Sequence, residues 1–227
     1  TGLYFKVVDS DDTMSADFIP FLDTLEQGHN QGGVDLLLTN YYYVHTDGVG
    51  DRSINYKSSL PVNRFFTWSE TKPFQVHQLM TIHSCTFRTE VMRQWADELP
   101  KHVFYEDNLM VYQTLPHVQK LYYSPIDLYR YWIGRPDQSV QKAVMLKRYH
   151  HQLLVTERCF TACHLDEITD KRLHRYLRHE LFTMFAIGIL YARLNKTDEA
   201  DARLQQMWDT CRAFDPKWAK HFRNSAL

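Results

Sequence analysis

The sequence has few cysteines, almost no net charge and no Gly-rich phosphate loop. Each of these observations argues against a class of protein. The four cysteines, Cys85, Cys159, Cys163 and Cys211, lack the paired spacing of a secreted disulfide framework. The formal net charge is −1, so no overall field favours nucleic acid. The absence of a Walker-type loop and its lysine argues against a P-loop phosphotransferase. A reducing cytoplasm is the simplest context for such a chain.

Long apolar runs are also absent. The most apolar stretch is Leu181–Leu194, which is too short to span a bilayer and contains Gly188 and Arg193. The sequence therefore predicts no transmembrane helix. The expected location is the cytoplasm, with peripheral association at the inner face of the membrane as an alternative.

Hydrophobic residues make up 44% of the 227 residues, which is enough for one good-sized core with a helical appendage. Charge is unevenly distributed along the chain. Residues 1–141 carry 11 Lys and Arg against 17 Asp and Glu, whereas residues 142–227 carry 15 against 10. The basic part suits either an anionic lipid or polymer partner, or a solvated helix surface.

An apolar run that ends in three carboxylates opens the chain. Residues 3–8 are nearly continuous aliphatic and aromatic residues, a pattern typical of a strand buried on both faces. Asp9, Asp11 and Asp12 follow it, at the carboxyl end where open α/β sheets bind ligands. Three acidic groups this close repel one another unless a cation lies between them. The pattern predicts a divalent metal that carries phosphates.

A second acidic motif is Tyr105-Glu106-Asp107, at the start of a predicted helix. The helix N-terminus keeps Asp107 ionised, which suits a general base, although a plain helix cap has the same sequence. A third motif is Tyr129–Val140, in which an aromatic strand leads into a turn with Arg135. A guanidinium there suits a diphosphate leaving group, and a solvated loop arginine is the alternative.

These three motifs, in this order, resemble those of the family 2 glycosyltransferases, which have the GT-A fold. The segment GLYFKVVDSDDTMSADFIPFL is similar to the Asp-x-Asp segment of that family, and the resemblance covers about residues 2–140. It implies a bacterial enzyme of polysaccharide biosynthesis. Such an enzyme transfers a sugar from a nucleotide-sugar donor to a hydroxyl of a glycan or lipid-linked acceptor, with inversion and with Mg²⁺ or Mn²⁺ as cofactor.

The resemblance also implies roles for single residues. Asp9 and Asp11 form the Asp-x-Asp unit, with Asp11 as the direct metal ligand. Asp12 supports the metal shell or contacts the donor sugar, and Arg135 approaches the donor diphosphate.

The resemblance implies, in the second motif, that Asp107 takes the proton of the acceptor hydroxyl. Glu106 would orient Asp107 or contact the acceptor.

In that family, the acidic strand follows about a hundred residues of alternating strands and helices that bind the nucleotide. The predicted fold is therefore α/β: a partial GT-A domain, with a truncated Rossmann-like mixed sheet, over residues 1–140 and a helical extension over 141–227. The first strand should form an exposed apolar edge that is hidden by pairing with another copy, by disorder or by rearrangement. The isolated chain should bind nucleotide-sugars weakly or not at all. The alternative is a non-catalytic interaction module that retains the acidic motifs.

Hydrophobic periodicity predicts the remaining elements of the first part. They are helices at 15–27 and 89–99 and strands at 34–43, 54–57, 78–87 and 121–131. Within them, His83 either faces the site or is a core histidine. Tyr41, Tyr42 and Tyr43 either stack on a sugar or pack in the sheet.

Overall fold

The computed structural model describes residues 2–95, 99–134, 138 and 141–225, which divide into two compact units. The first unit comprises residues 1–96 and 114–135, and the second comprises 97–113 and 136–227. The first contains a mixed sheet and the second consists of helices, so the predicted α/β class with C-terminal helices is confirmed. Residues 97–113, which the sequence pattern placed with the sheet, belong to the helical unit.

Seven strands and two helices build the first unit. They are β1 (Tyr4–Phe5), β2 (Thr13–Met14), α1 (Phe18–Asn30), β3 (Leu36–His45), β4 (Arg52–Ile54), β5 (Phe65–Phe66), β6 (Cys85–Arg88), α2 (Thr89–Met92) and β7 (Leu121–Ile133).

The strands form one sheet in the order β1-β6-β3-β7-β2, with β4 paired to β3 and β5 paired to β7. The long central strands β3 and β7 are parallel, and the other pairs are antiparallel. Leu36, Leu37 and Leu38 of β3 are fully buried. This agrees with the continuous apolar pattern that predicted a strand there.

Helix α1 packs on this sheet through one apolar face. Phe21 and Leu25 form a buried cluster with Val34, Leu37 and Leu128. Pro20 lies in the first turn of the helix, where its missing N–H is tolerated. The helix places the acidic segment before it at one side of the sheet.

The first strand differs from its prediction. Only Tyr4 and Phe5 are paired, and β1 is at an edge of the sheet, beside β6. Leu3 is 63% exposed and Val8 is 47% exposed. The prediction of a strand buried on both faces is therefore wrong, because these side chains expose much of their surface to solvent. The expected exposed apolar edge agrees with this position.

Six helices build the second unit. They are α3 (Glu106–Thr114), α4 (Lys142–Lys147), α5 (Tyr149–Thr161), α6 (Lys171–Asn195), α7 (Asp198–Phe214) and α8 (Pro216–Ser225).

The core of this unit is aromatic. Phe185 of α6 stacks on Trp208 of α7 and on Phe222 of α8, and it contacts Phe160 of α5 edge to face. Among the described helices, none is long and apolar enough to cross a bilayer.

Candidate functional site

Asp9, Asp12 and His83 come together at one side of the first unit. One ligand atom from each of them lies within 4.8 Å of the other two. Asp9 follows β1, Asp12 precedes β2, and His83 lies in the turn that leads into β6. Residues far apart in the sequence thus form a compact set of metal-ligand types where the first acidic motif predicted one.

Two hydrogen bonds hold the Asp12 carboxylate in place. Its Oδ1 accepts from the Trp132 backbone N–H at 2.9 Å, and its Oδ2 accepts from the Tyr129 hydroxyl at 2.7 Å. Burial raises the pKa of Asp12, and these two hydrogen bonds act in the opposite direction by stabilising the anion. Asp12 is thus a positioned carboxylate that is only 9% exposed.

The Tyr129 hydroxyl also accepts a hydrogen bond, from the Asp9 backbone N–H at 3.1 Å. Burial raises the pKa of Tyr129 far above its usual value, so the hydroxyl keeps its proton. One phenol on β7 therefore connects both ends of the acidic segment to the sheet.

His83 presents a neutral imidazole to the two carboxylates. Its Nδ1 lies 3.1 Å from the Thr81 hydroxyl, and its Nε2 lies 3.9 Å from Asp9 Oδ2, too far for a hydrogen bond. The ring stacks on Tyr131, with 4.4 Å between ring centroids. Burial and the nearby Lys6 ammonium lower the pKa of His83 to about 3. A neutral imidazole nitrogen is the form that binds metals.

Lys6 lies half-buried beside this cluster. Its ammonium donates hydrogen bonds to the backbone carbonyls of His83 at 2.9 Å and Cys85 at 3.3 Å. Burial lowers the pKa of Lys6 to about 8. The side chain thus fixes the turn that carries His83.

The donor set fits a divalent metal ion. Two carboxylates and one neutral imidazole are ligands that such ions accept, and the carboxylates and imidazole are held by further hydrogen bonds and ring contacts. Imidazole nitrogen is a better ligand for transition metals than for Mg²⁺, which favours Mn²⁺ of the two predicted ions. Asp11, predicted as the direct metal ligand, is exposed and lies outside this group of three.

The tyrosines of β3 border the cluster. Tyr41 is buried, and its ring centroid is 5.4 Å from that of His83 and 5.4 Å from that of Tyr43. Tyr43 is half-buried and contacts Tyr131, with 5.5 Å between centroids. Tyr41 packs in the sheet, whereas Tyr43 and Tyr131 keep part of their surface open.

The Glu-Asp motif opens α3 in the second unit. Tyr105, just before it, has a left-handed backbone with φ of 71°, a conformation that costs a non-glycine residue about 1–3 kcal/mol. The Asn108 side-chain amide donates to the Tyr105 carbonyl at 3.1 Å and to Asp107 Oδ1 at 3.2 Å. Glu106 and Asp107 lie in the first helical turn, where negative charge is favoured.

Glu180 of α6 is a buried acid in the same unit, and the sequence pattern did not single it out. It is 2% exposed, and burial together with the charge of Asp107 raises its pKa to about 8. Glu180 therefore keeps its proton at neutral pH. One signal in the sequence could have identified Glu180, because this acid interrupts the apolar stripe of Tyr176, Leu177 and Leu181.

Arg135, predicted to approach the diphosphate, lies outside the described residues. Sugar transfer by the predicted residues requires Asp11 and Asp107 to meet in one cleft, and this meeting stays a prediction because the two residues belong to different units.

No family model and no curated protein matches the chain. The resemblance to glycosyltransferases therefore depends on the three sequence motifs.

Proposed function

We propose that this protein is a metal-dependent, inverting glycosyltransferase of family 2 with a GT-A fold. Its substrates would be a nucleotide-sugar donor and a hydroxyl of a glycan or lipid-linked acceptor. The single observation that carries the proposal is the set of Asp9, Asp12 and His83, whose ligand atoms lie within 4.8 Å of one another. Asp9 and Asp12 of this set follow the same strand that the Asp-x-Asp resemblance identifies.

The ligand chemistry of the cluster fits the donor half of this reaction. A divalent ion held there would neutralise charge on the departing nucleoside diphosphate. Asp12 is fixed by Tyr129 and by the Trp132 backbone, so the site is preorganised on the sheet. Asp9 is partly buried, which leaves its carboxylate accessible to a ligand.

Asp107 supplies the base that the acceptor half requires. The acceptor oxygen forms a bond to the anomeric carbon, the bond from that carbon to the diphosphate oxygen breaks, and the bonding electrons leave with the diphosphate. Asp107 takes the acceptor proton, and Glu106 orients it. The position of Asp107 in the first turn of α3, where negative charge is favoured, supports this role.

Binding of Mn²⁺ tests the metal half of the proposal. Free Mn²⁺ is measured by electron paramagnetic resonance with the wild type and with Asp9→Asn and His83→Asn. Each substitution removes one ligand, so the affinity should fall tenfold or more. Asp23→Asn, at an exposed position on α1, is the matched control and should bind as the wild type does. Equal affinity in all four proteins would rule out the site, provided that circular dichroism shows each one folded.

Donor turnover tests the transfer chemistry. Release of nucleoside diphosphate from a panel of nucleotide-sugars is measured with Mn²⁺, using the protein as its gene encodes it. Asp107→Asn should lower turnover by about 10²–10⁴-fold, the usual contribution of a general base. Asp201→Asn, on an exposed face of α7, should leave turnover unchanged. Mn²⁺ binding without turnover of any donor would favour the non-catalytic interaction module.

A further inference from the structure

Helix α6 has a strongly basic exposed surface. Its 25 residues include five basic side chains and a single acid, Glu180, which is buried. The basic residues are Lys171, Arg172, Arg175, Arg178 and Arg193. Since the acid does not reach solvent, the exposed charge of this helix is positive throughout.

A pocket of about 400 Å³ lies where α6 meets α8. Two arginines, two histidines, a serine and an aromatic residue contribute to its lining: Arg175, Arg178, His179, His221, Ser225 and Phe182. Among the residues that the structure describes, none that lines it is acidic. The arginine, histidine and serine side chains can donate hydrogen bonds, and such donors bind phosphate oxygens.

Arg178 is held in place in this pocket. Its guanidinium lies over the Trp218 ring at 5.3 Å from the centroid, and its buried Nε has no hydrogen-bond partner among the described residues. The guanidinium of an arginine carries further N–H donors, which pair well with anionic oxygens. The pocket is therefore suited to a negatively charged group.

An apolar ridge continues from the pocket along the same helix. Phe182 is 40% exposed, Leu190 is 54% exposed and Leu194 is 44% exposed. Their spacing of eight and four residues keeps them on one side of α6 over about 18 Å. Phe182 belongs both to this ridge and to the pocket, so the basic and the apolar surfaces are continuous.

We propose that this surface of α6 and α8 binds anionic membrane lipids. The pocket takes the phosphate of a headgroup, and the ridge of Phe182, Leu190 and Leu194 enters the boundary between headgroups and acyl chains. A free phosphate would satisfy the arginines but would leave the ridge in water, whereas a lipid covers both. The proposal does not depend on sugar transfer.

Co-sedimentation with vesicles tests this surface. Wild-type protein should bind vesicles of equal parts phosphatidylcholine and phosphatidylglycerol, and should bind pure phosphatidylcholine much more weakly. Arg175→Gln with Arg178→Gln should weaken binding to the anionic vesicles by tenfold or more, because each basic residue near an anionic surface contributes substantially. Leu190→Ser with Leu194→Ser should also weaken it, because the ridge no longer inserts.

A matched control removes the same charge elsewhere in the unit. Lys142→Gln with Lys147→Gln changes two exposed lysines on α4 and should retain most of the binding. An equal loss in this control would indicate a general charge effect and would overturn the proposal. Unchanged binding of the Arg175/Arg178 variant to the anionic vesicles would also overturn the proposal. Displacement of the protein by inorganic phosphate, with no effect of the leucine substitutions, would identify a free-phosphate pocket and also contradict it. Thermal melts establish that each variant is folded.

Discussion

The Tyr129 hydroxyl shows how one side chain can organise an acidic site. It donates to Asp12 Oδ2 at 2.7 Å and accepts from the Asp9 backbone N–H at 3.1 Å. Both partners belong to the acidic segment, whereas Tyr129 belongs to the buried strand β7. The segment is therefore fixed to the sheet by a residue that carries no charge.

Replacement of Tyr129 by Phe should destabilise the protein and weaken Mn²⁺ binding. The substitution leaves the buried Asp12 carboxylate with one donor fewer, which costs about 1–3 kcal/mol. Urea unfolding measures the stability, and calorimetry measures the metal affinity. Tyr42→Phe is the control, since Tyr42 is a half-buried tyrosine on neighbouring β3. Equal behaviour of the two variants would contradict the role assigned to the Tyr129 hydroxyl.

Glu180 should make the stability of the protein depend on pH. Its pKa is raised from 4.5 to about 8 in the folded state, so the folded protein binds this proton more tightly than the unfolded chain does. Below the pKa of Glu180 in the unfolded chain, the residue is protonated in both states and does not change the free energy of unfolding. The free energy of unfolding should then fall as pH rises towards 8, by up to about 5 kcal/mol in total.

Glu180→Gln removes this pH dependence. The variant should resemble the wild type near pH 5 and should be several kcal/mol more stable near pH 8. Urea unfolding at the two pH values measures the difference. An unchanged slope of stability against pH in the variant would assign the effect to other groups.

At the scale of whole elements, the sequence predicted the two long strands well. The strand predicted at 34–43 is Leu36–His45, and that predicted at 121–131 is Leu121–Ile133. β3 begins with the buried run Leu36–Leu38, and aromatic residues recur along β7; both strands lie at the centre of the sheet. Local periodicity is sufficient where burial is this complete.

Short elements were predicted less well. The strand expected at 78–87 is only Cys85–Arg88, and the helix expected at 89–99 is described only over Thr89–Met92. Residues 3–8 have the pattern of a central strand but lie at an edge. The number of neighbouring strands is a long-range property, which the composition of one segment does not determine.

The candidate site was partly predictable for a related reason. Asp9 and Asp12 were found because the acidic cluster is contiguous in the sequence. His83 was left between two interpretations, because its partners come from β1, β3 and β7 and a single histidine in QLMTIHSCTF has no spacing signal. Lys6 and Glu180 owe their shifted pKa values to burial, which one segment does not reveal.

The end of α6 offers a test of helix capping. Lys196 closes the helix in a left-handed conformation, with φ of 54° and ψ of 40°, and its side chain is exposed. Glycine adopts this conformation without steric strain, so Lys196→Gly should stabilise the protein by about 0.5–1 kcal/mol. Lys196→Ala, which keeps the Cβ atom, should show no such gain. Thermal melting measures both, and equal melting temperatures would contradict the expectation.

At the scale of the whole molecule, the open edge at β1 bears on self-association. Leu3, Phe5 and Val8 are exposed there, and β1 pairs only with β6. Apolar edges of this kind pair with other chains unless a charge blocks them.

Phe5→Lys should therefore reduce self-association. Sedimentation velocity of the wild type should show dimers or larger species that increase with concentration, and the variant should shift towards the monomer. Leu22→Lys, at an exposed apolar position on α1, is the control and should behave as the wild type. A wild type that is monomeric at all concentrations would exclude pairing through this edge.

The arrangement of α6 has a consequence for orientation. Its basic pocket and its exposed leucines lie at successive points along one rigid rod of 25 residues. A helix that is attached at one point can rotate relative to the surface, whereas a helix that is attached along its length cannot. If α6 docks along its length on a flat surface, the helical unit would lie there at a single angle. The axis of α6 would then be parallel to that surface.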